Sequence, residues 1–312
     1  MISGEKILIT GVTGSVAGPL ARFLAAENEV WGAARFADSS PDSAVSAKRR
    51  DLEAAGIKTC SLDLGSGQFD DLPDDFTYLL HLAWMRGDNS QLQEAMRVNV
   101  EGTGFILQHC RKAKAALVMS STAVYTANDD PWHAYTEDDP IGQGATGAAA
   151  STSPSSKLGT ESVARFCARA FDLPVVIARL STFMGTMATY PAYFIGSVLA
   201  GRTMVAPHDP NPHSPIHIDD MKDQLEALLD AAAAPALITN WCGDEVTTAQ
   251  DWTRMAADFS GKEGRLEVRS VPGSPPGAVS DPARRQSITG PCKTDFHESF
   301  RQLYDQMAGM QP

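Results

Sequence analysis

Apolar residues along the chain gather in short β-prone runs, and between these runs they recur every three or four positions. KILIT (6–10) stops at Gly11, and an amphipathic stretch, PLARFLAAE, begins at Pro19; this reads as strand, glycine turn, helix. NEVWGAAR, TCSLDL, TYLLHLAW, AALVMSS and LPVVIARL follow as further strands, ending near Arg35, Leu64, Trp84, Ser121 and Leu180. Helical periodicity covers QLQEAMRVNVEGTGFILQHCRKA (91–113) and residues 155–171, so two long helices are predicted there. Strands alternating with helices imply an α/β fold with a doubly wound parallel sheet, whose ligand belongs at the carboxyl ends of the strands. The segment GQGATGAAASTSPSS (142–156) is predicted to be a mobile loop at the rim of that cleft.

At 312 residues the chain exceeds the usual limit of one core. Residues 1–180 and 216–242 are expected to form a nucleotide-binding domain, and 181–215 and 243–312 a smaller substrate lobe. A net charge of −12 argues against nucleic acid and against an anionic membrane, and so favours a small-molecule substrate. Cys60, Cys110, Cys167, Cys242 and Cys292 form no CxxC pair, which implies neither a disulfide framework nor a zinc site, and hence a reducing cytoplasm. The apolar run near Met1 is too short for a signal-peptide core or a membrane span. His208, Asp209, His213 and His217 sit in or beside a proline-punctuated loop that offers no regular ligand face, so no metal is expected.

The turn after the first strand reads TGVTGSVAG, with Gly11 and Gly14 three apart and Ala17 where a third glycine can stand. Small residues there let the backbone approach a pyrophosphate, and the helix N-terminus supplies N–H groups to it. At the end of the second strand an acidic residue would bind the 2′-hydroxyl of NAD; the chain has Ala34 and Arg35, and Arg35 suits the 2′-phosphate of NADP. NADP(H) is therefore favoured, with NAD(H) possible. The run Lys48, Arg49, Arg50 is read as an exposed helix face.

In chain order the motifs are TGVTGSVA, LDL, HLAW, VNVEGT, SSTAVY, ARLSTFMG and PIHIDDM. Together they resemble the extended short-chain dehydrogenase/reductase family, which includes nucleotide-sugar epimerases, dehydratases and dihydroflavonol-type reductases. The resemblance implies a Rossmann domain in which Gly11, Thr13, Gly14, Ser15 and Val16 hold the pyrophosphate. It places Arg35 at the 2′-phosphate, Asp63 and Leu64 at the adenine, and Leu82, Ala83, Trp84 and Asn99 along the cofactor. Ser121 would polarise a substrate oxygen and Lys157 would bind the nicotinamide ribose. Met85, Arg86, Thr122, Tyr190 and Tyr193 are candidates for substrate contact, and a homodimer paired through the two long helices is expected.

One position departs from the family. Members use Tyr-x-x-x-Lys on one helix face, where the lysine lowers the phenol's pKa and the phenol exchanges a proton with substrate. In STSPSSK the lysine is Lys157 and the tyrosine position holds Ser153. A serine hydroxyl lacks both the acidity and the reach of a phenol. The resulting expectation is an NADP-dependent oxidoreductase acting on a carbonyl, an alcohol or a conjugated double bond, with an atypical proton donor. The alternatives are a non-redox lyase, isomerase or cyclase that retains the nucleotide, and a nucleotide-sensing protein without turnover.

Overall fold

The computed structural model describes residues 2–37, 40, 43–142, 151–270 and 274–310, and in it the apolar runs become the strands of one sheet. They are β1 (Lys6–Thr10), β2 (Glu29–Ala34), β3 (Lys58–Ser61), β4 (Tyr78–His81), β5 (Ala115–Ser121) and β6 (Val175–Leu180), and a seventh strand that no predicted run covers, β7 (Leu237–Trp241), joins them. Their order is β7-β6-β5-β4-β1-β2-β3, so the chain winds outward from β1, returns to β4, and winds the other way. This is the doubly wound arrangement, with its switch point between β1 and β4. Ile7 pairs in parallel with Val30 on one side and Tyr78 on the other. Ile7, Leu8, Ile9, Leu79, Leu80 and Leu117 are fully buried, as strands covered on both faces require.

β3 and β4 are shorter than the apolar runs that predict them. The Thr10 hydroxyl accepts the N–H groups of Leu82 and Ala83, both at 3.2 Å, and this takes the chain out of the sheet ladder after His81. The long helix predicted over 91–113 is also interrupted. It consists of α3 (Leu92–Ala95), a π-helical turn (Met96–Glu101) and α4 (Gly102–His109). Within the turn, the Asn99 carbonyl accepts hydroxyls from Thr103 at 2.5 Å and Thr160 at 2.9 Å, contacts that helical periodicity does not encode.

The second long helix, α5, spans Ser153–Phe171, with Pro154 in its first turn. Most of the predicted loop over 142–156 lies outside the described residues, but Ser153–Ser156 are helical. Two earlier helices, α1 (Ala17–Ala25) and α2 (Ala44–Ala54), follow β1 and β2.

The residues divide into two compact units. The first comprises 1–124, 147–178 and 225–239, and its core joins Leu8, Leu79, Ile106, Val118, Ala164 and Ile177. The second comprises 125–146, 179–224 and 240–312, so it includes 125–146 and 216–224, which the sequence reading assigns to the nucleotide domain. Its core packs the helices Tyr190–Leu199, Ala249–Ser260 and Phe296–Ala308 around Phe194, Trp252 and Phe300. Among the described residues no helix is long and apolar enough to cross a membrane.

Candidate active site

The turn after β1 has a shape that only glycine permits. Gly11 has φ +73°, and a Cβ there would lie 2.7 Å from Ala83 Cα, so this turn and the segment after β4 touch backbone to backbone. A Cβ on Gly14 would lie 3.0 Å from Gly11 O. Beyond it, α1 begins with Val16 as N-cap and no side-chain cap; Gly18 N–H is taken by Gly14 O at 3.0 Å and Pro19 has none, so the start of the helix offers the N–H groups of Val16 and Ala17 to an anion. Thr13, Ser15 and Val16 are half-buried along this cradle, which has the form a dinucleotide pyrophosphate requires. Beneath it, His81 bridges Thr10 at 2.8 Å and Thr103 at 2.9 Å. Burial, aided by the charge of Lys157, lowers the pKa of His81 to about 3, so it remains a neutral hydrogen-bond bridge.

Arg35 is exposed at the carboxyl end of β2, with its carbonyl held by Ser61 Oγ at 2.9 Å. Of the basic run on α2, Arg49 is engaged locally. It donates to Glu53 at 3.0 Å and to Thr59 at 2.9 Å, and its guanidinium lies over the Phe36 ring. Asp63 follows the end of β3, where Oδ1 accepts Gly65 N–H at 3.1 Å and Oδ2 pairs with Arg97 at 3.2 Å. Leu64 is buried beside it.

The centre of the candidate site lies at the carboxyl end of β5. Ser121 is half-buried there, its Oγ accepting Ala123 N–H at 3.2 Å, and half-buried Thr122 begins the next turn. The neighbouring Ser120 donates instead to Glu161 of α5 at 2.6 Å, because successive strand residues face opposite ways. Lys157 is buried. Its ammonium donates to Met119 O at 2.7 Å and lies 5.5 Å from the Trp84 ring centre. Desolvation lowers its pKa to about 8, partly opposed by the charge of Glu161.

Trp84 Nε1 reaches Ser156 Oγ at 3.4 Å, and the exposed Arg86 lies over the same indole at 5.5 Å. Asn99 clamps the Met85 backbone, accepting its N–H at 2.7 Å and donating to its carbonyl at 3.0 Å. Sequence reasoning missed this clamp, along with the Trp84–Ser156 contact and the Arg97–Asp63 pair. The polar residues were visible, but their partners lie far away in the chain.

Ser153 is the first residue of α5, half-buried, with its N–H on Ser151 Oγ at 3.1 Å. It lies one helical turn before Lys157, on the same face. The first unit contains one tyrosine, Tyr78, at the amino end of β4 and so at the edge of the sheet opposite Ser121. In the second unit Tyr125 donates to Asn240 at 2.6 Å, and the Tyr135 hydroxyl accepts Asn128 N–H at 2.7 Å. Tyr190 packs against Phe194, His213 and Trp252, whereas Tyr193 on the same helix is exposed. Among the described residues no group of His, Cys, Asp or Glu side chains is arranged to hold a metal ion.

The sequence profile described as the NAD dependent epimerase/dehydratase family matches residues 7–236. No curated protein sequence matches the chain. Solved structures of similar fold include a UDP-glucuronic acid 4-epimerase from Bacillus cereus in complex with UDP-glucuronic acid and NAD. It has TM-score 0.83 and 21% identity, over 98% of this chain and 100% of that one. A UDP-N-acetylglucosamine 4-epimerase from Methanobrevibacter ruminantium M1 has TM-score 0.83 and 15% identity, over 99% and 100% of the two chains. A dTDP-glucose 4,6-dehydratase from Bacillus anthracis, in complex with NAD, has TM-score 0.80 and 15% identity, over 99% and 98%. At these identities the likeness establishes the fold.

Proposed function

The chain belongs to the NAD dependent epimerase/dehydratase family, and from that membership we propose that it is an NADP(H)-dependent oxidoreductase whose tyrosine-based proton transfer has been lost. Its substrate is a small molecule bearing a carbonyl, an alcohol or a conjugated double bond. The observation that carries this reading is the pairing of the Gly11–Gly14 cradle with a buried Lys157 in a unit whose one tyrosine lies at the far edge of the sheet. The bound nicotinamide supplies hydride chemistry. Gly11 and Gly14 admit the pyrophosphate, Lys157 donates to the nicotinamide ribose, and Ser121 donates to the substrate oxygen. With no phenol at Ser153, hydride delivery to the carbon of a polarised carbonyl, with the proton for the resulting alkoxide taken from solvent water, suits the site better than strong base catalysis. Incubating the protein with NADPH and candidate carbonyl compounds tests this: nucleotide oxidation supports it. Conversion of substrate without nucleotide oxidation would support instead the non-redox reading, which the Ser153 departure favours over a tyrosine-dependent epimerase.

Two of the similar structures described above, the Bacillus cereus epimerase and the Bacillus anthracis dehydratase, hold NAD, whereas Arg35 points this chain toward NADP(H). A charge-assisted contact to phosphate contributes roughly 1.5–3 kcal/mol, or about ten- to a hundred-fold in affinity. Arg35→Ala is therefore expected to weaken NADP(H) by that factor and leave NAD(H) nearly unchanged. Calorimetry with both nucleotides checks it, and equal losses for the two would exclude Arg35 as the phosphate reader.

A homodimer through α4 and α5 is the proposed assembly, in a reducing cytoplasm. Phe166 on α5 is 67% exposed and Phe105 on α4 is 38% exposed, a pair of aromatic rings that a second copy would cover. Sedimentation is expected to give twice the chain mass, and Phe166→Glu to give the monomer. A wild-type monomer at micromolar concentration would refute the assembly.

A further inference from the structure

Arg97, in the π-helical turn after α3, makes a two-sided clamp. Both of its terminal nitrogens donate to Asp63 Oδ2 at 3.2 Å, while Nε and Nη2 donate to Glu94 at 2.8 and 2.7 Å. The guanidinium lies against Gly65, where a Cβ would stand 2.3 Å from Nη1 and 2.7 Å from Cζ. Since Gly65 N–H holds Asp63 Oδ1, each carboxylate oxygen has one fixed partner and the group has one orientation. The Asp63 side chain remains 45% exposed, and whereas Oδ2 is taken by two Arg97 nitrogens, Oδ1 accepts one N–H and keeps a second lone pair for a ligand. The cluster lies beyond β3, next to the carboxyl end of β2, where the adenosine half of a dinucleotide rests in a doubly wound sheet. The Glu94 carboxyl, held low first by Arg97, also feels the charge of Arg35 at that strand end.

We propose that Arg97 is a positioning residue for adenine recognition: by occupying Oδ2 it fixes the Asp63 carboxylate so that the remaining lone pair of Oδ1 receives the exocyclic amino group of the base. This inference rests on the dinucleotide-binding reading above. An ionised carboxylate only accepts hydrogen bonds, so it selects an amino-bearing base over one with a carbonyl at the same place. Holding it in one orientation before the ligand arrives removes the ordering cost from binding. The planar fork of arginine grips the carboxylate through two nitrogens, which the single ammonium of a lysine does less well. Glycine at 65 leaves the guanidinium room to lie flat.

The test compares two probes on the intact protein by calorimetry: NADP with its natural adenine, and the analogue carrying hypoxanthine. The wild type is expected to prefer adenine by about ten-fold or more, and Arg97→Met to lower that preference to about three-fold or less. Arg97→Lys should restore part of it. Gly65→Ala keeps every charge but pushes the guanidinium aside, and should act like Arg97→Met. Circular dichroism and thermal melting verify that each variant is folded. An unchanged preference in both Arg97→Met and Gly65→Ala would overturn the inference alone, as would a wild type indifferent to the base. A wild type that binds neither probe would overturn the dinucleotide reading and this inference with it.

Discussion

Lys157→Ala is expected to lower dinucleotide affinity or turnover by at least about 100-fold, while Ser153→Ala changes turnover by less than about ten-fold, below the range of a positioned acid or base. The contrast follows from placement. Lys157 Nζ is buried at the end of β5 with Met119 O as its hydrogen-bond partner, so it presents a desolvated cation where a ribose hydroxyl would bind. Ser153 stands at the first residue of α5 with a short side chain. If Ser153→Ala abolished turnover while nucleotide affinity persisted, serine would be the proton donor.

The same lysine carries a pH signature. Its pKa falls from the ordinary 10.5 to about 8 on folding, so the folded chain binds fewer protons than the unfolded chain between those values. The burial penalty of the ammonium is therefore fully present below about pH 8 and is relieved as pH rises toward 10.5. Relative to Lys157→Met, the wild type should gain thermal stability over that window, while its nucleotide affinity declines as the cation is lost. A difference in melting temperature between the two that stays flat from pH 8 to 10 would contradict a depressed lysine pKa.

Gly11→Ala is expected to reduce dinucleotide affinity by more than about 100-fold and to lower the melting temperature by several degrees. A left-handed backbone costs a non-glycine residue roughly 1–2 kcal/mol before any contact is counted. Here the added carbon also meets the Ala83 backbone at 2.7 Å, where no flexible side chain can yield, so the turn or the segment after β4 must move. Either movement displaces the cradle. Gly14→Ala is the milder control, since its Cβ meets one carbonyl oxygen at 3.0 Å and its φ is not in the left-handed region. Gly11→Ala binding within ten-fold of the wild type would refute the backbone-contact argument.

The alternation of buried strands and amphipathic helices was legible because it depends on periodicity, and the six predicted strands all belong to the one doubly wound sheet that alternation implies, which β7 extends beyond the prediction. Motif spacing around TGVTGSVAG and SSTAVY likewise located the ends of β1 and β5, since a glycine turn and a polar strand terminus are local features, whereas TYLLHLAW runs three residues past the end of β4 at His81. The break in the 91–113 helix was not legible. QLQEAMRVNVEGTG has good helical periodicity, and its π turn is accompanied by hydroxyls from Thr103 and Thr160 on Asn99 O, the second reaching from another helix.

By itself the sequence determined the fold class, the position of the glycine cradle and the absence of a tyrosine four residues before Lys157, because each depends on residue type at a fixed local spacing. The tertiary structure alone decided how the polar residues of the site are engaged. Lys157 meets Met119 and Trp84, Asn99 clamps Met85, and Arg97 holds Asp63 over Gly65. Those pairings join strand ends and helices distant in the chain. A hydrogen bond depends on where two groups meet in space, and no local pattern of residues records that.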